Sequence, residues 1–226
     1  MKKPAGPKLR RPSTRKKVKK STTRSTAERI VKVATRVFAE KGYEGTSTKE
    51  ICRLAGVNLA AIHYHFKSKE NLYKHIISGV GTSAIESAVR VLQPAANLEE
   101  FKARLKIFLS EAIAAGTEQP DVSLMIIRDA QTHGDVLVDI FKKTFGRIEE
   151  ALTIFVSDAQ KKGLLKSGVP TKVAVGFIHA QLIYAVGNQK LFKRIYGFEL
   201  SDFDRCQEWL DQFIEIFVEG FRIQKS

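Results

Sequence analysis

The chain has 226 residues, with 38 Lys or Arg against 24 Asp or Glu and a formal net charge of +14. That length suits one small module plus a larger domain and is enough to bury a real core. Two cysteines far apart, Cys52 and Cys206, argue against a disulfide framework, and no run of eighteen apolar residues or apolar leader occurs. A soluble protein of a reducing cytoplasm is therefore expected, with no membrane partner.

Residues 1–24 hold eleven Lys or Arg and no acid, together with several Pro, Ser and Thr. Such a segment cannot build a core, and a disordered basic leader is expected over 1–24. It reads equally as a solubilising tail or as an arm along a DNA backbone; interleaved aromatics, which a membrane-surface segment needs, are missing. From Ser25 the spacing turns helical. Ser25 with Glu28 and Ser47 with Glu50 are capping-box pairs that would open helices one and two. Ile30, Ala34, Val37 and Phe38 form the first apolar stripe, and Ile51, Leu54 and Ala55 the second. Gly56 supplies a turn, Asn58 can cap a third helix and Ser68 a fourth. A helix, a short Gly-containing turn and a second short helix make a helix–turn–helix.

The run FAEKGYEGTSTKEICRLAGV, then Asn58 to Phe66 with its Tyr-His-Phe signature, then KSKENLY, resembles the tetracycline-repressor (TetR) family of transcriptional regulators. The resemblance covers about a quarter of the chain and implies a DNA-binding domain over 25–77. The remaining stretch, 78–226, would be a ligand-binding and dimerisation domain.

On the third helix, Leu59 to Phe66, Ile62, His65 and Phe66 share an inward stripe, whereas Leu59, Ala60, His63 and Tyr64 face outward, with Ala61 between. The outward set lacks Arg and Lys, so the bidentate Arg–guanine contact is unavailable from this helix. Asn58 is left to read adenine, Ala60 and Ala61 to touch thymine methyls, and His63 to offer an imidazole. Carried over from the family, Tyr64 and Lys69 would grip phosphates, assisted by Thr46 and Thr48.

Beyond Ser78 the pattern stays helical and predicts an all-α chain of about nine helices. Helix four should stop near Leu92, a fifth run from Asn97 to Gly116 and a sixth from Pro120 to Thr132. Three more are expected over about 138–162, 171–194 and 202–222. The last two carry apolar residues on two sides and need cover on both. A partner copy is the simplest second cover, with Phe177, Tyr184, Leu210, Ile214, Phe217 and Phe221 as interface candidates. The resemblance implies that an unknown small-molecule effector binds in the same domain. Phe108, Met125, Phe155, Phe177 and Tyr184 would line its cavity, with Arg128, His133 and His179 supplying polar contacts.

Enzymatic and metal readings find no support. His63 and His65 lie about 200° apart around a helix and cannot chelate one ion. No phosphate loop or nucleophile elbow occurs, so no catalytic residue, metal or cofactor is expected. The expected function is a ligand-responsive, sequence-specific transcriptional regulator, a repressor that binds a near-palindromic duplex operator as a homodimer. The competing reading is a non-specific nucleoid-associated protein dominated by its basic tail.

Overall fold

The structure is a computed structural model that describes residues 15–132 and 145–221, with Val138 and Lys142 between them. Ten helices are described. They are α1 Arg15–Lys41, α2 Thr48–Ala55, α3 Leu59–Phe66, α4 Lys69–Val91, α5 Leu98–Glu118, α6 Pro120–Thr132, α7 Gly146–Lys161, α8 Thr171–Gly187, α9 Gln189–Tyr196 and α10 Phe203–Phe221. No strand occurs among the described residues, so the fold is all-α.

Local chemistry sets most boundaries. Ser47 Oγ accepts from the Glu50 N–H at 3.2 Å, and Asn58 Oδ1 from the Ala61 N–H at 3.0 Å. Ser68 Oγ accepts from the Asn71 N–H at 3.0 Å. Each side chain pairs an amide that the first helical turn leaves without an intrahelical acceptor. At α5 the capping is reciprocal: Asn97 Oδ1 accepts from the Glu100 N–H at 2.9 Å, while Glu100 Oε2 accepts from the Ala96 N–H at 2.7 Å. Gly56, at φ 61°, closes α2 in the left-handed region that a side chain would disfavour.

Three expected boundaries move. α1 begins at Arg15, so Ser25 lies inside a helix instead of capping one, and the segment expected to be disordered is helical from residue 15 onward. Residues 1–14 lie outside the described part. The helix expected over 171–194 is two, because Asn188 (φ −122°, ψ 33°) interrupts it. Of the helix expected over about 138–162, the continuous described part is Gly146–Lys161.

Two apolar cores result. The first joins Ile30, Ala34 and Phe38 of α1 with Ile51 and Ala55 of α2, Ile62 and Phe66 of α3, and Leu72, Tyr73, Ile76 and Ile77 of α4. Val122 and Met125 of α6 belong to the same cluster. The second gathers Ala88 and Val91 from the other end of α4, and Leu92 just beyond it, with residues of α5, α7, α8, α9 and α10, around Phe101 and Phe155 stacked at 4.6 Å. α4 thus feeds both cores. Across it, Ser87 Oγ donates to Glu111 Oε2 and Arg90 Nη2 donates to Glu111 Oε1 at 2.6 Å. These bonds, Ser87's first, hold the Glu111 carboxyl below its usual range.

α8 approaches α5 and α6 closely. A β-carbon on Gly116 would come within 2.4 Å of Val186 Cγ1, and one on Gly187 within 2.6 Å of Ile127 Cδ1. Val186 is β-branched and stiff, whereas the far end of Ile127 can turn away. Gly116→Ala should therefore destabilise the fold by about 1–3 kcal/mol and Gly187→Ala by clearly less. Paired thermal melts followed by far-UV circular dichroism check the order; equal shifts contradict it.

Candidate nucleic-acid interface

The helix–turn–helix is made of two eight-residue helices, each too short to persist alone. Their burial holds them. Ile51, Cys52 and Ala55 of α2 and Ile62 and Phe66 of α3 face α1 and α4. The Phe38 and Tyr73 rings meet edge-on at 5.1 Å, as do those of Tyr43 and Tyr73. Burial, then the nearby Glu70 and Glu44 carboxylates, push the Tyr43 hydroxyl up from its ordinary value.

With Ile62 and Phe66 inward, α3 presents Leu59, Ala60, His63 and Tyr64 to solvent, and Tyr64 is 68 % exposed. Ala61 packs partly against the core, and His65 is half-buried between the Tyr64 and Phe66 rings. The outward set expected on α3 is therefore the exposed set. Asn58 is exposed as well, but its Oδ1 already caps the helix. A bidentate adenine contact would have to share that oxygen.

Two expected phosphate contacts take other roles. Thr46 is 3 % exposed, and its hydroxyl donates to the Gly42 carbonyl at 2.7 Å, which satisfies a carbonyl at the end of α1. Lys69 Nζ donates to the Tyr43 carbonyl at 2.9 Å and the Thr46 carbonyl at 3.1 Å, and sits 4.1 Å from the Tyr43 ring centroid. The ammonium thus staples the start of α4 to the α1–α2 turn, where carbonyls of no helix need donors. Thr48, in the first turn of α2, is half-buried. Cations that do stay exposed around this face include Lys49, Arg53 and Lys67.

Lys67 has a backbone that lysine rarely adopts. Its φ is 70° and its ψ −43°, and the Ser68 N–H donates to the Phe66 carbonyl at 2.8 Å across it. This is a γ-turn of the strained hand. It joins the end of α3 to the start of α4 and leaves the lysine side chain in solvent. In the sequence Lys67-Ser-Lys69 the two lysines look alike. Only the fold separates a staple from an exposed cation.

The residues expected at an effector cavity are scattered. Phe108 and Phe155 are buried in the second core, and Met125 in the first. Arg128 Nη1 donates to the Ala39 carbonyl at 3.2 Å and the Glu40 carbonyl at 2.5 Å, tying α6 to the last turn of α1. His179 Nδ1 lies 3.1 Å from Glu149 Oε2, a partner on α7 that sequence spacing did not suggest. His133 lies outside the described residues. Among the described residues no group of three His, Cys, Asp or Glu is placed to hold a metal.

The expected interface residues divide too. Leu210 is 1 % exposed, and Ile214 and Phe217 are 3 % exposed, in the chain's own core, so they are not an outward seam. Tyr184 is half-buried against that core, and the Phe221 side chain lies outside the described part. Phe177, at 54 % exposure, does face outward, in one stripe with Val173, Ala180 and Ile183. On α10 the outward large apolar residues are Phe203, at 70 %, and Ile216, at 72 %.

The two lysines give opposite expectations without DNA. Lys67→Gly relieves a positive φ and should stabilise the fold by about 1 kcal/mol, whereas Lys69→Ala strands two turn carbonyls and should lower the melting temperature. Thermal unfolding of both variants in DNA-free buffer is the check. A higher melting temperature for Lys69→Ala would remove the staple from the account.

Known proteins resemble this chain in sequence and in fold. The family of bacterial regulatory proteins named after tetR matches residues 30–76. A probable helix–turn–helix transcriptional regulator of Bacillus subtilis, YttP, is 44 % identical over 54 residues, 24 % of this chain and 26 % of that protein. The matched segment thus spans about a quarter of that relative. The repressor NicS of Pseudomonas putida is 21 % identical over 197 residues, covering 87 % of this chain and 92 % of NicS. The fold of FadR from B. subtilis, solved with stearoyl-CoA, superposes with a TM-score of 0.67 at 17 % identity, over 86 % of this chain and 99 % of that one. A helix–turn–helix segment that matches the tetR family of bacterial regulatory proteins is thus followed by an all-α body that shares the fold of solved transcriptional regulators.

Proposed function

We propose that this protein is a sequence-specific transcriptional repressor that binds a near-palindromic DNA operator as a homodimer and responds to a small-molecule effector. The observation that carries this reading is the exposed set Leu59, Ala60, His63 and Tyr64 on a helix rooted by buried Ile62 and Phe66. Base edges in a major groove are read by such a face. With no Arg or Lys on α3, its contacts are apolar, aromatic and imidazole in kind, and phosphate attraction falls to Lys49, Arg53 and Lys67 around it.

The α8 stripe supports the homodimer in this reading. Val173, Phe177, Ala180 and Ile183 recur at helical spacing, are all exposed, and continue a helix whose other face is core. A second copy packed there buries the stripe by two-fold symmetry and sets two recognition helices on one side, about 34–36 Å apart for successive turns of DNA. An effector that prefers one separation over another changes operator affinity.

Selection of binding sites from a random duplex pool tests the operator. The expected product is an inverted repeat, and Tyr64→Ala with His63→Ala should erase the preference for it. A pool that yields no motif, with equal affinity for every duplex, favours the non-specific reading instead.

Assembly has its own test. Phe177→Glu should leave a folded, helical chain that sediments as a monomer. Phe217→Glu should unfold it, because an unpaired charge enters the core. Analytical ultracentrifugation with circular dichroism separates the two results; a Phe177→Glu protein that remains dimeric rejects the α8 seam.

A further inference from the structure

The described residues form a cleft of about 780 Å³ where α1, α4 and the α5–α6 turn meet. That is the size of a site for a drug-sized molecule. It lies outside the set of aromatic residues from which an effector cavity was expected. Its apolar lining comes from Val31 of α1, Ile76 of α4 and Val122 of α6. Gly79 of α4 widens it, since a β-carbon built there meets nothing within 4 Å. Around the lining stand three carboxylates, Glu28, Glu118 and Asp121, against one ammonium, Lys32. An acidic rim on a chain of net charge +14 is a local reversal of sign.

We infer that this cleft binds a small hydrophobic organic cation and that occupancy alters DNA binding. This deepens the ligand-responsive reading above and rests on it. The apolar lining fits an aromatic or aliphatic body, and the carboxylates attract its charge and disfavour an anion of the same shape. Coupling follows from position. Ile76 and Val122 both belong to the core that seats α3. His75, on the cleft wall, holds its ring 5.4 Å from that of Phe66, the last residue of α3. An occupant therefore touches residues that themselves touch the recognition helix. It also bears on the seam between α6 and α4, across which the two modules meet.

Titration calorimetry of the full-length, DNA-free protein with tetraphenylphosphonium and with tetraphenylborate tests the site, because the two ions match in shape and differ in sign. The cation should bind saturably, one per chain, and the anion at least about tenfold more weakly in spite of the overall positive charge. Gly79→Leu should fill the cleft and abolish binding. Should that variant fold poorly, Glu118→Gln with Asp121→Asn, both exposed, should lower cation affinity about tenfold without moving the melting temperature. Duplex DNA binding, read by fluorescence anisotropy, should shift at least about fivefold on saturation with the cation in the wild type and not in Gly79→Leu. Equal binding of both ions, or cation binding untouched by either variant, overturns the site. Cation binding with no anisotropy shift overturns the coupling. The calorimetric result does not depend on any operator, so a failed site selection leaves it intact.

Discussion

Everything in this molecule depends on α4 being one uninterrupted helix. Its 23 residues span about 34 Å at 1.5 Å per residue. Leu72, Tyr73, Ile76 and Ile77 bury into the first core, and Ala88 and Val91 into the second. A rod set in two cores transmits rotation and translation and absorbs little of either. α6 supplies the second link, with Met125 in the first core and Arg128 on the carbonyls that end α1. The exposed face of α3 is therefore positioned from two directions, and any change in the angle between α4 and α6 is felt by α3.

The small module solves a problem of scale. Two helices of eight residues have little intrinsic stability, and the caps at Ser47, Asn58 and Ser68 contribute about 1 kcal/mol each. The remainder comes from burial under α1 and α4 and from Lys69, whose ammonium closes the α1–α2 turn. That lysine illustrates a general preference. A buried or half-buried turn must find donors for its carbonyls, and a long side chain from a neighbouring helix supplies them without lengthening the loop.

How far the sequence foretold this depends on the range of the interaction. Short-range chemistry was legible: the Ser47 and Asn97 caps and Gly56 in its left-handed turn stand as their spacing predicts, although the Glu50 carboxylate pairs with Lys41 and leaves the expected box at Ser47 half formed. Ser25 with Glu28 shows the same pattern and caps nothing, because helical residues continue on its N-terminal side. Long-range partners were not legible. Thr46 and Lys69 owe their roles to carbonyls of a turn, the latter more than twenty residues away. α10 has apolar residues on two faces, and spacing alone does not tell which faces inward; the structure buries Leu210, Ile214 and Phe217 and exposes Ile216. The aromatics read as cavity lining pack as core, since Phe155 stacks on Phe101 and leaves no room between them.

One consequence of the α3 geometry concerns heredity more than binding. The residues that anchor this helix, Ile62 and Phe66, and the residue that caps it, Asn58, are distinct from the exposed quartet Leu59, Ala60, His63 and Tyr64. Substitutions at exposed positions away from caps and cores usually change stability little. The quartet can thus drift, or be randomised in a library, while the scaffold beneath stays intact. After duplication, two copies of such a gene can diverge across this face through a handful of replacements that leave the fold largely undisturbed.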